Sequence, residues 1–100
     1  MFLVVWEFHV KADHVAEFER HYAGHGTWAQ LFREDPAYKE TILMRDPKTE
    51  RRYLTTDVWQ DEASYKAFQE SSRERYRELD AAFAAFTEKE TLIGHFEVVE

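Results

Sequence analysis

The chain has 100 residues, 44% hydrophobic and 33% charged, which suits one globular domain over residues 1–100 and excludes a chain disordered by composition. Its 13 Lys and Arg against 20 Asp and Glu give a formal charge of -7, so neither nucleic acid nor an anionic membrane surface is an expected partner. With no cysteine, disulfides, thiolate nucleophiles, iron–sulfur clusters and Cys-type zinc sites are excluded, and the cytoplasm is the expected location.

Phe2 to Val10 is apolar, aromatic and β-branched, has no basic segment before it and meets Glu7 early, so it reads as a first strand and not as a signal peptide. Asp13 is placed to cap a helix carrying Val15, Phe18 and Tyr22 on one face, which Gly24-His25-Gly26 interrupts. Thr27-Trp28-Ala29-Gln30 has the capping-box pattern and opens a short second helix that stops at Asp35-Pro36. Tyr38–Arg45 and Arg52–Trp59 flank the turn-forming run Asp46 to Glu50 and read as a hairpin. Asp61 caps a further helical run in which Tyr65, Phe68, Ser72, Tyr76, Leu79, Phe83 and Phe86 recur at three-then-four spacing; its continuity past Asp80 stays open. Thr91 to Val99 is the last strand, with Gly94 at a bulge.

The order β-α-β-β-α-β predicts an α+β, ferredoxin-like domain: a four-stranded antiparallel sheet with its helices on one face. Strand one carries Phe2, Val4, Trp6 and Phe8 on one side and Leu3 and Val5 on the other; Leu92, Phe96 and Val98 in the last strand oppose Ile93 and Val99. Helices cover only one of those sides. A second copy of the sheet packed on the other side, as a homodimer, resolves the mismatch. The 16% aromatic content also exceeds what so small a core requires and suggests rings lining a cavity or an interface.

Laid out in this way, the chain resembles the antibiotic biosynthesis monooxygenase superfamily of dimeric α+β barrels. The carriers are Val15-Ala16-Glu17-Phe18-Glu19 after the opening strand, Trp28-Ala29-Gln30-Leu31-Phe32-Arg33, and Arg52-Tyr53-Leu54 through Asp57-Val58-Trp59 into Asp61-Glu62-Ala63-Ser64-Tyr65-Lys66-Ala67-Phe68. The resemblance implies a menu of activities: cofactor-free oxygenation of quinols or polyketide-derived phenols, haem degradation, or a non-catalytic small-ligand or interaction module on the same scaffold. Trp59 and Tyr65 match, by type and spacing, a pair that sits in the substrate cleft of the polyketide-type oxygenases; where those enzymes have an Asn, this chain has Thr55. The haem-degrading branch needs a strand-one Asn and an axial His, whereas this chain has no Asn and carries Gln69 and Glu70 at the axial place, so haem would need an unconventional ligand such as Tyr76.

Oxygenation without a cofactor requires a base, an apolar pocket and groups that orient the ring. His9, at the end of strand one, is the candidate base, with Trp59 and Tyr65 orienting an aromatic substrate and Trp28, Phe32 and Phe68 as walls. His95 can approach Glu7 or His9 if the first and last strands are neighbours. Each of these residues also has a purely structural reading, as a strand-end histidine, a half-buried histidine or core packing. His14, His21, His25 and Glu17 have spacings that suggest a metal, but Gly24 breaks the helix before His25, so no metal is expected. Gly-rich phosphate loops and nucleophile-elbow motifs are absent, and the expected activity uses no cofactor.

Overall fold

Alternation along the strands decides which side chains meet the helices. In the computed structural model, which describes residues 1–100, β1 (Phe2–Val10) is a central strand of one antiparallel sheet ordered β2-β3-β1-β4, where β2 is Tyr38–Arg45, β3 Arg52–Trp59 and β4 Thr87–Glu97. β2 and β3 form the expected hairpin, paired from Tyr38 opposite Trp59 to Arg45 opposite Tyr53. The helices α1 (Val15–Tyr22), α2 (Thr27–Phe32), α3 (Glu62–Ser71) and α4 (Arg73–Phe83) bring Phe18, Tyr22, Trp28, Phe32, Tyr65, Phe68 and Phe83 onto Phe2, Val4, Phe8, Val10, Tyr53 and Trp59, making one aromatic core. Phe18 and Trp59 are completely buried, at 0% exposure. No helix is long and apolar enough to cross a membrane.

Several local expectations are corrected. Asp13 caps nothing: it sits in a 3₁₀ turn over Ala12–His14, and α1 starts after His14 without a side-chain cap. The Thr27 capping box does not form either, because the cap of α2 is Gly26, the Thr27 hydroxyl is bonded to His21 Nδ1 at 2.7 Å, and the Gln30 amide donates to the His25 carbonyl. α2 closes at Phe32, three residues before Asp35, and the chain reaches Pro36 through 3₁₀-type bonds from the Glu34 and Asp35 amides. Asp61 does cap α3, accepting from the Ser64 amide at 2.8 Å.

The long periodic run breaks at Ser72, whose φ of -111° and ψ of 15° leave helical geometry, so α3 and α4 are separate helices. The three-then-four pattern survives the break because Phe68, Tyr76 and Phe83 still face the sheet. β4 begins at Thr87, four residues before the expected Thr91. Near its middle the pairing slips: Val5 faces Gly94 while Trp6 faces Leu92, leaving Ile93 as a bulge next to Gly94, whose φ is +158°. The bulge exchanges the faces of β4 halfway along. Leu92 therefore pairs on the helix side with Trp6, and Phe96 on the open side with Leu3, so these two residues do not share a face as expected.

The open side carries Leu3, Val5, Leu54 and Val58 with exposed Ile42, Met44 and Phe96, bounded at one end by Glu7, His9 and Arg52. Arg52 bonds both Glu7, at 2.6 Å, and Asp46, at 2.8 Å; its guanidinium holds the Glu7 carboxyl below the ordinary range, while Asp46 is lowered first by the Lys48 backbone amide and then by Arg52.

Gly26 explains the break between α1 and α2: a Cβ there would lie 2.5 Å from the His21 carbonyl oxygen and 2.6 Å from that of Arg20. No side chain fits without moving backbone. Gly26→Ala is expected to destabilise the fold by about 1–3 kcal/mol, the usual cost of overpacking, read as a lower urea midpoint at unchanged slope.

Candidate active site

Between the sheet and the helices lies a cavity of about 470 Å³. Its floor is Trp6 and Phe8 of β1, Thr41 of β2, and Thr55 and Asp57 of β3; its walls are Tyr22, Trp28, Phe32, Tyr65 and Tyr76 from the four helices. Gln69, Asp80, Ala84 and the start of β4, Thr87 to Glu90, form a rim open to solvent. The rings interlock: Trp28 lies 5.5 Å from Tyr76 and 5.9 Å from Phe32, centroid to centroid. An interior of this kind suits a flat aromatic ligand.

Of the residues singled out in the sequence, Tyr65, Trp28 and Phe32 line this cavity. Trp59 and Phe68 do not reach it. Trp59 is packed behind Tyr65 at 5.5 Å and against Tyr38, Phe32 and Phe68, and its indole Nε1 has no hydrogen-bond partner. His9 is on the opposite side of the sheet from the expected cleft, since it alternates with Phe8 and Val10; its Nε2 is 3.6 Å from Glu7. His95 is also elsewhere than expected, because the bulge turns it to the helix side, where it lies 5.3 Å from Phe2 and 5.7 Å from Tyr65, away from Glu7 and His9. His14 bonds Glu17 at 3.0 Å and His21 bonds Thr27 and stacks on Phe83, 4.4 Å away; these side chains do not converge on a common point.

The residue that sequence reasoning passed over is Asp57. It lies directly opposite Val4 on β1 and Thr41 on β2, on the helix side of the sheet. The one hydrogen bond to its carboxylate comes from the Thr41 hydroxyl, 2.7 Å from Oδ1, and Thr41 in turn accepts from the Tyr38 hydroxyl at 2.8 Å. No cation offsets the charge. Burial pushes the carboxyl up to about 6, the Thr41 bond opposing this only in part. Its charge is felt across the cavity: Tyr65 is pushed up to about 12 and Tyr76 higher still, by burial first, with Asp57 adding to both. At the rim, burial raises Asp80 and Glu90, and Asp80 raises Glu90 further. Trp28 Nε1 and Tyr76 Oη, both from wall residues, are buried without partners. Alternation held the signal for Asp57: Tyr53, Thr55, Asp57 and Trp59 share one face, so the acid sits among residues that must be buried.

The sequence family described as antibiotic biosynthesis monooxygenase matches residues 1–89. Among solved structures, SnoaB from Streptomyces nogalater, a cofactor-independent oxygenase, is 21% identical, with TM-scores of 0.79 and 0.76 for two structures covering 99% of this chain and 93% of that one. A Deinococcus radiodurans protein assigned to the antibiotic biosynthesis monooxygenases is 15% identical at a TM-score of 0.76, over 100% of this chain and 94% of the other. A conserved protein from Methanosarcina mazei is 19% identical at 0.70, over 95% and 89%. At these identities the likeness establishes the fold. No curated protein matches the chain.

The raised Asp57 has a consequence for stability. Its folded value of about 6 exceeds the unfolded 3.8, so ionisation opposes folding: the penalty is complete above about pH 6 and absent below 3.8. Asp57→Asn, which can still accept from Thr41, is expected to stabilise the protein by roughly 1–3 kcal/mol at pH 8. The gain should vanish by pH 3.5 in urea titrations of the two proteins.

Proposed function

Because the chain belongs to the antibiotic biosynthesis monooxygenase family, which matches it over residues 1–89, we propose that it is an oxygenase that needs no cofactor and inserts oxygen into a phenol or quinol bound between sheet and helices. In such a reaction the substrate gives up a proton to become an electron-rich anion, which reduces dioxygen directly. One oxygen atom ends on the ring and the other leaves as water with two substrate hydrogens, and the ring, oxidised to the quinone level, supplies all four electrons. The protein's part is to hold the ring, keep water from the anion and accept the proton.

The observation that carries this reading is the cavity itself: aromatic walls of Tyr22, Trp28, Phe32, Tyr65 and Tyr76 over a floor where Trp6 and Phe8 meet Thr41, Thr55 and Asp57, behind a polar rim. Its volume of about 470 Å³ accommodates a two- or three-ring aromatic. Two buried donors, Trp28 Nε1 and Tyr76 Oη, lack partners within the chain, which favours a ligand bearing carbonyl or hydroxyl oxygens. Tyr65, at the wall, is the orienting residue of the Trp59–Tyr65 pair, and Trp59 buttresses it from behind. SnoaB, a cofactor-independent oxygenase, has the same fold, which supports the same class of chemistry here. Thr55 on the cavity floor makes the substrate contacts of this chain its own.

The working unit in this reading is a homodimer. Ile42, Met44 and Phe96 expose 43%, 41% and 49% of their surface on the side of the sheet without helices, and a second sheet packed there would cover them.

Reduced menadione under air is the first substrate to try: oxygen uptake above the buffer control is expected, and Thr55→Phe, which fills the floor, should lower kcat/KM at least tenfold. Binding of a quinol without any uptake would instead assign the cavity to a carrier or sensor. Light scattering should give about twice 12.0 kDa, and Ile42→Glu with Phe96→Glu should give a monomer.

A further inference from the structure

His9 being on the wrong side of the sheet leaves the oxygenase reading without a base, and no histidine lines the cavity. The candidates are its carboxylates. Asp80, Glu88 and Glu90 stand at the solvent-open rim, where Asp80 and Glu90 are buried only in part and water competes for a proton. Asp57 stands on the floor, with Thr55 beside it on the strand and the rings of Tyr65 and Tyr76 on the helices across from it.

We infer that Asp57 is the catalytic base of this cavity, taking the proton that leaves the substrate and holding it on its carboxylate while the anion is oxidised. The inference rests on the oxygenase reading and names the group which that reading lacks. In the step, the substrate O–H bond (or an activated ring C–H bond) breaks, its electron pair stays with the substrate, and the proton bonds to an Asp57 carboxylate oxygen. Charge is conserved within the cavity: one anion replaces another, so no ion has to enter from water.

Three features of the geometry support it. The carboxylate has a single hydrogen bond, from Thr41 at 2.7 Å to Oδ1, so it retains acceptor capacity for a substrate proton. The Tyr38 hydroxyl donates to Thr41 at 2.8 Å, which commits the Thr41 proton to Asp57 and fixes the direction of the chain of bonds. Tyr38 and Thr41 are positioning residues. Around the carboxylate, β2 presents Thr41 and Tyr38, β1 Val4, β3 Thr55 and Trp59, α3 Tyr65 and α4 Tyr76; beyond Val4, β4 carries His95 on the same side, and Lys89 stands at the rim, but neither bonds the acid, whose one partner is Thr41. A carboxyl raised to about 6 is a stronger base than an ordinary aspartate and is still ionised at neutral pH.

The test separates proton removal from oxygenation. Under argon in deuterated buffer, 2-tetralone exchanges its C1 hydrogens through an enolate resembling a naphtholate, and proton NMR follows the loss. Wild-type protein should accelerate this exchange over buffer and Asp57→Asn should abolish the acceleration while binding the ketone within about threefold of wild type. In air, the variant should lower kcat of quinol oxidation by at least about a hundredfold, within the usual range for a general base, with little change in KM. The wild-type kcat should fall as the pH is lowered through about 6, where Asp57 takes up a proton, and Thr41→Val, which removes the bond that lowers Asp57, should move that midpoint upward. Exchange without oxygen uptake keeps the base and overturns the oxygenase reading. Uptake or exchange that is equal in wild type and Asp57→Asn overturns the base, as does the absence of any exchange in wild type.

Discussion

A carboxylate placed on the apolar side of a sheet, with one hydrogen bond and no counter-charge, must either be neutralised by a proton or be tolerated at a cost. In this fold that carboxylate is Asp57, and the surroundings leave it little choice: Val4 and Trp59 on the sheet, Tyr65 and Tyr76 above it, and the single Thr41 hydroxyl. A purely structural role would be served better by a Val or Thr, of which β3 already has several. An acid kept here despite its cost to stability fits a group whose use is chemical. The architecture around it follows suit, since the aromatic residues that build the core also wall off the space in front of the acid.

The two sides of the sheet divide the work. On the helix side, alternation delivers Phe2, Val4, Trp6 and Phe8 to the core and cavity; on the open side it delivers Leu3 and Val5 to a surface that also carries Ile42, Met44 and Phe96. One end of the open side is polar, where Arg52 ties Glu7 to Asp46, so the apolar patch is bounded there. One side thus borders the cavity and the other is an exposed apolar surface, with β1 contributing to both.

Much of this was legible in the sequence. Strand boundaries at Phe2–Val10, Tyr38–Arg45 and Arg52–Trp59 follow from β-branched and aromatic runs bounded by turn residues, and Asp61 announces α3 through a local bond that needs no tertiary context. What was hidden depends on distant partners. Thr27 looks like a cap until His21 takes its hydroxyl, and Ser72 looks like one more core position until the helix breaks there. His95 changed sides because a single inserted residue, Ile93, reverses alternation, and a bulge of that kind fixes its register only against the neighbouring strand. His9 is a different case. The same alternation that puts Phe8 inside puts His9 outside, so its position was readable, and so was that of Asp57 between Thr55 and Trp59.

The measurement closest to the central claim is the titration of Asp57 itself, by carbon-13 NMR of the aspartate side-chain carboxyls, with the resonance assigned by its absence in Asp57→Asn. One aspartate carboxyl is expected to titrate with a midpoint near 6, well above the ordinary value of about 4. An Asp57 resonance that titrates at or below that ordinary value would mean that the floor of the cavity is wet or its charge paired, and would contradict the account.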